Sequence, residues 1–389
     1  MANGIIDTLN VKTFFRMKKI GLLYGQENSF PQAFIDRVNA KNVNDISAEF
    51  VSIDKVIQGI PNEYAVILDR ISQDVPFYRT WLKQAALEGS AVINNPFWWS
   101  ADDKFVNNEL AARAGVNVPK TALLPSRDLP VNTTDQSFRN LIYPFDWESI
   151  FAHIGFPAYM KPYNGGGWKH VYKVNSAEEF FAQHAHTGQL VMMLQEEIEY
   201  DSYYRCYCIG GKYVRVIPYD PHQAPYQRYL DKAQGDDDLE GVIIEQVANL
   251  NRYLGYDFNT VEIAVRAGIP YVIDFWNPAP EADEATIGAE NFEWVVETAA
   301  NYAIERALKQ LPGTDNLTWG AFMTHAVPGN QTAIVPGAKK TAAKKSTTPV
   351  GAAPAEKKTA EKKTTEKKAA AKKEPAAKKT TTKKAKAKE

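Results

Sequence analysis

The sequence predicts an α/β protein that begins with an open parallel sheet and ends in a disordered tail, and three observations support this. Short apolar segments alternate with helical patterns across residues 18–99, which is the order that builds a parallel sheet covered by helices. Two strand pairs joined by glycine-containing turns follow, and such turns are typical of antiparallel hairpins. Residues 338–389 consist almost entirely of Lys, Ala, Thr, Glu and Pro, so we expect a disordered tail there.

The first domain is predicted from alternating elements that follow a leader, residues 1–17. The apolar segment KIGLLY is suited to a buried parallel strand, and later segments repeat its character. The predicted strands are Lys19–Tyr24, Glu49–Ile53, Tyr64–Leu68 and Ala91–Asn94, and the predicted helices are Pro31–Asn39 and Pro76–Leu87. Together they predict an N-terminal α/β domain over residues 18–99.

A helix is predicted next, from Ser100 to Gly115. Ser100 or Asp102 can cap its N-terminus, and Gly115 stands where a helix-ending residue belongs. Lys104 lies in the first turn, where the helix dipole disfavours a cation. Two interpretations remain open: a solvated surface lysine, or a lysine placed beside a phosphate that the helix N-terminus also favours.

The segment YMKPYNGGGWKHV, Tyr159–Val171, contains three consecutive glycines between two predicted strands. Gly165, Gly166 and Gly167 let backbone N–H groups fold over an anion, while Lys161 and Lys169 supply positive charge nearby. The spacing differs from that of a Walker loop, because the chain returns into a strand rather than a helix. The pattern predicts a phosphate cradle or, alternatively, a flexible hairpin tip.

The remaining elements are predicted from capping, turn and helical signals. A Ser176–Glu179 capping box precedes one helix, and Gly210-Gly211 joins a strong hairpin. The predicted helices are Asp146–His153, Ser176–Gln183, Leu239–Leu254 and Phe292–Leu311, and the predicted strands are Tyr203–Ile209, Lys212–Ile217, Thr260–Ala267 and Pro270–Phe275.

Two carboxylates interrupt apolar strands near the end of this region. Glu262 and Asp274 stand among Val, Ile and Tyr, where a charge is costly unless it is neutralised. Asn277 follows just as the second strand ends. Two carboxylates and an amide oxygen suit Mg²⁺, which fills its other positions with phosphate oxygens and water. The alternative is an ion pair with Arg266 or Lys161.

Taken together, these features resemble the ATP-grasp superfamily, specifically carboxylate–amine ligases related to glutathione synthetase and the ribosomal-protein glutamate ligases. The resemblance covers roughly residues 18–310, and the segments LDRIS, VINNP, LAARAGVNVPKT and QEEI carry it together with Asp103-Lys104. It implies an α+β ATP-grasp domain over residues 100–312, with lobes 100–198 and 199–312. A linker, residues 313–337, would join this domain to the tail.

The resemblance also implies a role for each candidate residue. Lys104 and Lys161 would contact ATP phosphates under the glycine loop, and Arg205 and Arg215 would stabilise the transferred phosphoryl group. The backbone of Glu196, Glu197 and Ile198 would hold adenine, while Glu262, Asp274 and Asn277 would bind Mg²⁺.

Two departures from the family pattern affect this assignment. Two residues separate Asp274 from Asn277, where the family usually has one. Either a bulge restores the geometry or Asn277 is not a ligand. Tyr203 stands where the family usually has a ribose-binding acid, which leaves Asp201 as a substitute.

The predicted function is therefore an Mg-ATP-dependent carboxylate–amine ligase that acts through an acyl phosphate and releases ADP. Its substrates would be a small-molecule or peptide carboxylate and an amine. Two alternatives remain: an ATP-binding scaffold without catalysis, and a protein associated with nucleic acid or another polyanion.

Charge distribution supports the last alternative. The chain has a net charge of −1, but residues 338–389 contain 18 Lys and 5 Glu, or +13, which leaves −14 for residues 1–337. Such a tail could bind phosphate backbones without sequence preference, or it could be a solubilising or tethering segment that docks on the acidic domain. Cys206 and Cys208 are predicted to be packed thiols in a reducing compartment. With no long apolar run, the sequence predicts a cytoplasmic protein without membrane association.

Overall fold

The computed structural model describes residues 17–43, 45–97, 103–230 and 237–311. Of the predicted leader only Met17 is described, and the predicted linker and basic tail lie outside these ranges. The described strands are β1 Lys18–Leu23, β2 Ile46–Phe50, β3 Tyr64–Asp69, β4 Ala91–Ile93, β5 Thr121–Leu124, β6 Ala158–Pro162, β7 Tyr172–Val174, β8 Met192–Glu196, β9 Ser202–Ile209, β10 Tyr213–Pro218, β11 Phe258–Arg266 and β12 Ile269–Asp274. The described helices are α1 Phe30–Ala40, α2 Pro76–Leu87, α3 Lys104–Arg113, α4 Trp147–Ile154, α5 Ala177–His184, α6 Asp237–Leu254, α7 Glu284–Ile287 and α8 Ala289–Lys309.

The first sheet is parallel, in the order β2-β1-β3-β4. Alternate residues of its strands point to opposite faces, so Ile20 and Leu22 pack towards α1 and α8 while Leu23 and Ile67 pack towards α2. The cluster around α8 also contains Tyr207 and other residues of a later sheet. The predicted open α/β sheet is confirmed, and α8 joins it to the rest of the described fold.

The second sheet is antiparallel, in the order β5-β8-β6-β7, and it carries the glycine loop between β6 and β7. Helices α4 and α5 cover one face, where Met160, Phe180 and Leu194 are fully buried. Ser176 caps α5 as predicted, because its hydroxyl accepts a hydrogen bond from the Glu179 N–H. This packing fixes the strand that carries Lys161.

The third sheet is also antiparallel, in the order β10-β9-β11-β12. Helices α3 and α6 pack on one face, which includes Cys206, Cys208 and Val261. Both cysteines are free thiols and buried. The opposite face presents Arg205 and Glu262, so this sheet contributes polar side chains to the site described below.

Most predicted elements are present, but several boundaries differ from the prediction. Helix α3 begins at Lys104 with Asp103 as its N-cap, rather than with Ser100 or Asp102. Strand β2 begins three residues earlier than predicted, and helix α8 also begins three residues earlier. None of the described helices combines the length and apolar character that crossing a bilayer requires.

Candidate active site

The second and third sheets line one cavity of about 320 Å³, a size typical of small-molecule sites. Every predicted site residue except Asp201 and Arg215 lines this pocket. The residues that do so are Lys104, Lys161, Gly165, Gly166, Gly167, Glu196, Glu197, Ile198, Arg205, Glu262, Asp274 and Asn277. The pocket therefore brings together side chains that are as far as 173 positions apart in the sequence, Lys104 and Asn277.

Lys104 reaches the pocket because helix α3 begins at that residue. The Asp103 carboxylate accepts hydrogen bonds from the N–H groups of Phe105 at 2.9 Å and Val106 at 3.0 Å, which fixes the first turn. The backbone N–H of Lys104 donates to the Tyr163 carbonyl at 2.8 Å, next to the glycine loop. Its ammonium lies 3.2 Å from both carboxylate oxygens of Asp274.

Lys161 follows the buried Met160 on β6, so the alternation of the strand turns its side chain from the core towards the pocket. Loss of surrounding water and the nearby Lys104 ammonium lower the pKa of Lys161 to about 8, although Asp274 and Glu262 act in the opposite direction. A bound anion would stabilise the protonated form of Lys161 and raise its pKa again.

Two positions of the glycine loop require glycine because of their backbone conformation, and not because a side chain would clash. Gly165 and Gly167 have φ of +91° and +70°, in the left-handed region that L-residues rarely adopt. No atom lies within 4 Å of where a Cβ would be placed on either residue. Trp168 follows with φ +60° and is about half exposed, and its side chain lines the pocket.

Glu262 and Asp274 are direct cross-strand partners on β11 and β12. The register shifts between Glu262 and Ile263, so Ile273 is an extra residue and both Ile273 and Asp274 line the pocket. Arg205 donates to Glu262 at 2.5 Å, and the Tyr203 hydroxyl donates to the same carboxylate at 2.7 Å. The carboxylates thus pair with Arg205 and Lys104, and not with the predicted alternatives Arg266 and Lys161.

Burial and nearby charges shift the pKa values of Asp274 and of Tyr203, which lies beside Glu262. Burial alone would raise the pKa of Asp274, but the ammonium groups of Lys104 and Lys161 outweigh it and hold that pKa below its usual range. Burial and the Glu262 carboxylate raise the pKa of Tyr203 well above normal, which keeps this tyrosine a neutral hydrogen-bond donor. Asp274 is therefore available as an anionic ligand at neutral pH.

The donor set of Glu262, Asp274 and Asn277 fits magnesium when phosphate oxygens complete it. Asn277 donates its side-chain Nδ2 to the Thr260 hydroxyl at 3.0 Å, so its Oδ1 is the side-chain atom that would bind a metal ion. No group of three or more His, Cys, Asp or Glu that could hold a metal ion occurs among the residues that the structure describes. Two carboxylates and an amide are the donor types expected for an ion that shares its ligands with a nucleotide. The bulge lies at Ile273, before Asp274, so it does not change the spacing between Asp274 and Asn277, and whether Asn277 is a ligand stays a prediction.

The segment Glu196–Ile198 forms one wall of the pocket. The N–H groups of Glu196 and Glu197 donate to the carbonyls of Lys120 and Pro157, while no described residue accepts from the Ile198 N–H. The Glu196 side chain binds Arg266 at 3.1 Å, and Glu197 binds Lys173 at 2.8 Å. Ile198 therefore supplies the available backbone donor of this segment.

Two predicted site residues lie elsewhere. The Asp201 carboxylate accepts from the Ala267 N–H at 2.8 Å and thereby holds the β11–β12 turn. Arg215 pairs with Tyr207 in the sheet register, on the same face as Arg205, but its guanidinium binds Asn291 at 2.7 Å and Glu290 at 2.6 Å. Neither side chain lines the pocket.

Sequence reasoning missed Ala264, Ile273, Tyr219 and Trp276, which also line the pocket. Ala264 could have been found, because it is two positions from Glu262 on one strand and must share its face. Ile273 could not, since its orientation depends on the bulge.

Neither a protein-family model nor a curated protein matches the chain, but solved structures do. A RimK-domain ATP-grasp protein from Sphaerobacter thermophilus DSM 20745 matches with a TM-score of 0.52 at 16% identity, over 74% of this chain and 99% of that one. D-alanine–D-alanine ligase from Bacillus anthracis matches with 0.51 at 16% identity, over 75% and 98%. The ATP-grasp ligase PsnB, complexed with its minimal precursor, matches with 0.53 at 13% identity, over 74% and 99%.

At these identities the likeness establishes the fold. The chain has the ATP-grasp fold, as the sequence resemblance predicted. The Bacillus anthracis ligase has also been solved with ATP, and PsnB with Mg and ADP, both with TM-scores of 0.50 to this chain.

Proposed function

We propose that this chain is an Mg-ATP-dependent carboxylate–amine ligase that forms an acyl phosphate and releases ADP. One observation carries the proposal: Lys104, Lys161 and Arg205 line the same pocket as the cross-strand carboxylates Glu262 and Asp274. That combination supplies cations for a triphosphate and carboxylates for its metal ion. The ATP-grasp fold and its ligase neighbours support the same reaction class.

ATP would lie with its base against the wall formed by Glu196–Ile198 and its phosphates between Lys104 and Lys161. The Ile198 N–H would donate to adenine, and the glycine loop would close over the phosphates. Asp201 would have to release the Ala267 N–H before it could contact ribose. We therefore assign it a weaker role than the residues that already line the pocket.

Phosphoryl transfer brings a carboxylate towards the anionic γ-phosphate, so the pocket must supply positive charge. A substrate carboxylate oxygen attacks the γ-phosphorus, the bond from that phosphorus to the β–γ bridging oxygen breaks, and ADP leaves. Arg205 and Lys161 would hold the developing charge. Arg215 would need to leave Glu290 before it reached the same group.

Magnesium, held by Glu262, Asp274 and Asn277, would neutralise phosphate charge when it is bound with the nucleotide. Before that, Lys104 and Arg205 neutralise the two carboxylates. We infer that both cations change partners from carboxylate to phosphate when ATP binds. In this exchange magnesium would replace Lys104 and Arg205 as the cation beside the two carboxylates.

In the second step an amine attacks the acyl carbon, phosphate departs with the electron pair of the broken C–O bond, and the amine loses a proton. Water would compete with the amine, so closure of residues 164–170 over the pocket would protect the acyl phosphate.

Carboxylate-stimulated ADP release tests this proposal. Purified full-length protein is incubated with Mg-ATP, a panel of carboxylates and hydroxylamine as a general amine, and ADP and hydroxamate are measured together. We expect equal amounts of both with the correct carboxylate. ATP binding without turnover on any carboxylate would instead support the inactive scaffold.

We also propose that residues 338–389 bind nucleic acid or another polyanion, on the strength of their +13 charge. The two buried free thiols fit a reducing compartment, so we propose a cytoplasmic location.

A further inference from the structure

A patch of exposed apolar side chains lies at the C-terminal end of α2, outside the pocket described above. We call it the α2 patch, and it consists of four residues that are each at least half exposed: Ile57, Ile60, Leu87 and Leu311. Helix α2 packs on the first sheet through Trp81 and Leu82, so Leu87 is left outside that core. Single exposed apolar residues are normal, but a contiguous group of them marks an interaction surface.

Hydrogen bonds hold the loop before β3 against α2. The Gln84 side chain donates to the carbonyls of Ile57 at 2.8 Å and Ile60 at 3.4 Å. Leu87 is three residues beyond Gln84 on the same helix, and residues three apart are neighbours on a helix surface. The two isoleucines and Leu87 therefore belong to one surface.

The described chain ends beside this surface. The Gln310 side chain donates to the Gly89 carbonyl at 2.6 Å, two residues beyond Leu87. The Lys18 ammonium donates to the Gln310 carbonyl at 2.9 Å, which fixes the end of α8 from the other side. The chain therefore continues beyond Leu311 from a fixed point next to the α2 patch.

The sequence that follows is apolar and almost uncharged. Residues 312–337 contain one Asp and no Glu, Lys or Arg, and residues 317–323 read LTWGAFM. A solvated linker has few aromatic residues, so a Trp and a Phe three positions apart indicate a segment that packs against something. The six steps from Leu311 to Leu317 span at most about 20 Å of extended chain, which keeps the segment close to the patch.

We propose that residues 317–323 fold back and bind the α2 patch. Trp319 and Phe322 would supply the apolar side chains that cover Ile57, Ile60 and Leu87. Both surfaces would leave water together, which is favourable in proportion to the apolar area removed, and closing so short a loop costs little chain entropy. The predicted linker, residues 313–337, would then contain a docked part. The inference does not depend on the proposed ligase function.

Coupling between the segment and the patch tests the proposal in the full-length protein. Trp319→Asp with Phe322→Asp changes the segment, Ile57→Asp with Ile60→Asp changes the patch, and a fourfold variant carries all four changes. Each double variant should lower the melting temperature by about 2–4 °C. The fourfold variant should melt within about 1 °C of the less stable double variant, because one contact can be lost only once.

Hydrogen exchange locates the contact. Backbone amides of residues 54–61 should exchange about tenfold faster in the segment variant than in the wild type. Val131→Asp with Ile142→Asp is the matched control, because both residues are also exposed but lie between β5 and α4. The control should keep the wild-type melting temperature and exchange. Calorimetry should find wild-type ATP affinity in all variants, since the α2 patch lies outside the pocket.

Three results would overturn the proposal. The first is a segment variant with the melting temperature and exchange of the wild type. The second is a fourfold variant whose loss of melting temperature equals the sum of the two double variants. The third is protection of residues 54–61 that rises with protein concentration while sedimentation shows a dimer, which would assign the α2 patch to a second copy of the chain.

Discussion

At the scale of single residues, Lys161 has a pKa of about 8, so its charge changes near neutral pH. A bound triphosphate favours the protonated amine, and binding must therefore become weaker as pH rises through 8. We expect ATP affinity to fall about tenfold between pH 7 and pH 9, since each unit above the pKa removes a further factor of ten of the protonated form. Calorimetry across this range measures it.

Two variants distinguish the effect of Lys161 on ATP binding from the effects of its charged neighbours Lys104, Glu262 and Asp274. Lys161→Arg stays protonated throughout and should lose the added pH dependence. Lys161→Ala should bind ATP about ten- to hundredfold more weakly at pH 7, the cost of one charge-assisted contact. If Lys161→Ala shows the wild-type affinity and pH profile, Lys161 does not contact the nucleotide.

The acidic pair gives the second prediction at this scale. Glu262→Gln with Asp274→Asn should abolish Mg-dependent turnover, because neutral amides are poor magnesium ligands. The variant should still fold, but its melting temperature should fall, because Arg205 and Lys104 lose their anionic partners. ADP release and thermal unfolding measure the two effects.

Glu293→Gln with Glu297→Gln is the matched control. These two acids also bind basic residues, Arg37 and Lys41, but lie outside the pocket. The control should keep full turnover. Wild-type turnover in the Glu262 and Asp274 variant would show that this pair is structural.

At the scale of elements, the start of α3 positions Lys104. Asp103→Ala removes two hydrogen bonds to the first turn and should lower the free energy of unfolding by about 1 kcal/mol. Because Lys104 is the next residue, ATP affinity should fall as well. Denaturant unfolding and calorimetry measure the two losses.

Ser176→Ala provides the comparison, because Ser176 caps α5 in the same way but lies outside the pocket. It should lose similar stability and keep ATP affinity. Asp103→Asn should restore both properties. Equal ATP affinity in the two alanine variants would disprove the link between the cap and Lys104.

The sequence predicted most elements because their signals are local. Gly210-Gly211 indicated the β9–β10 hairpin, and Ser176 with Glu179 indicated the start of α5. The N-cap of α3 was assigned wrongly, because Asp102 and Asp103 are adjacent and either could cap. Strand β5 was not predicted, since its four residues, Thr121–Leu124, carry little periodicity.

The sequence predicted which residues line the candidate site, but it did not predict which of them bind one another. The resemblance supplied residue types, and most of those residues line one pocket. Which cation binds which carboxylate depends on side-chain reach across two sheets, which sequence spacing does not encode. The positions of Arg215 and Asp201 likewise depend on Glu290 and Ala267, residues distant in sequence. The Ile273 bulge has no sequence signal of its own.

At the scale of the whole molecule, the basic tail gives a further prediction. Removing residues 338–389 changes the net charge from −1 to −14 and should abolish retention on DNA. Melting temperature and ATP affinity should stay nearly unchanged, since the tail contains almost no apolar side chains beyond alanine. Full-length protein should bind DNA at low salt and lose it steeply as salt rises.

A full-length variant with every tail lysine changed to glutamine is the control, because it keeps the length and loses the charge. It should behave as the truncated protein does in an electrophoretic shift series. Equal DNA retention by all three proteins would assign any binding to residues 1–337 and leave the tail as a tether or solubiliser.

Transfer of oxygen from substrate to phosphate tests the central claim most directly. A carboxylate that stimulates ADP release is labelled with ¹⁸O in its carboxyl group and incubated with Mg-ATP, hydroxylamine and full-length protein. In an acyl phosphate the oxygen that bridges carbon and phosphorus comes from the carboxylate, and it leaves with the phosphate when the amine attacks. Mass spectrometry should therefore find one ¹⁸O atom in each phosphate released, together with ADP and hydroxamate. Unlabelled phosphate, or AMP and pyrophosphate in place of ADP, would contradict the proposed reaction.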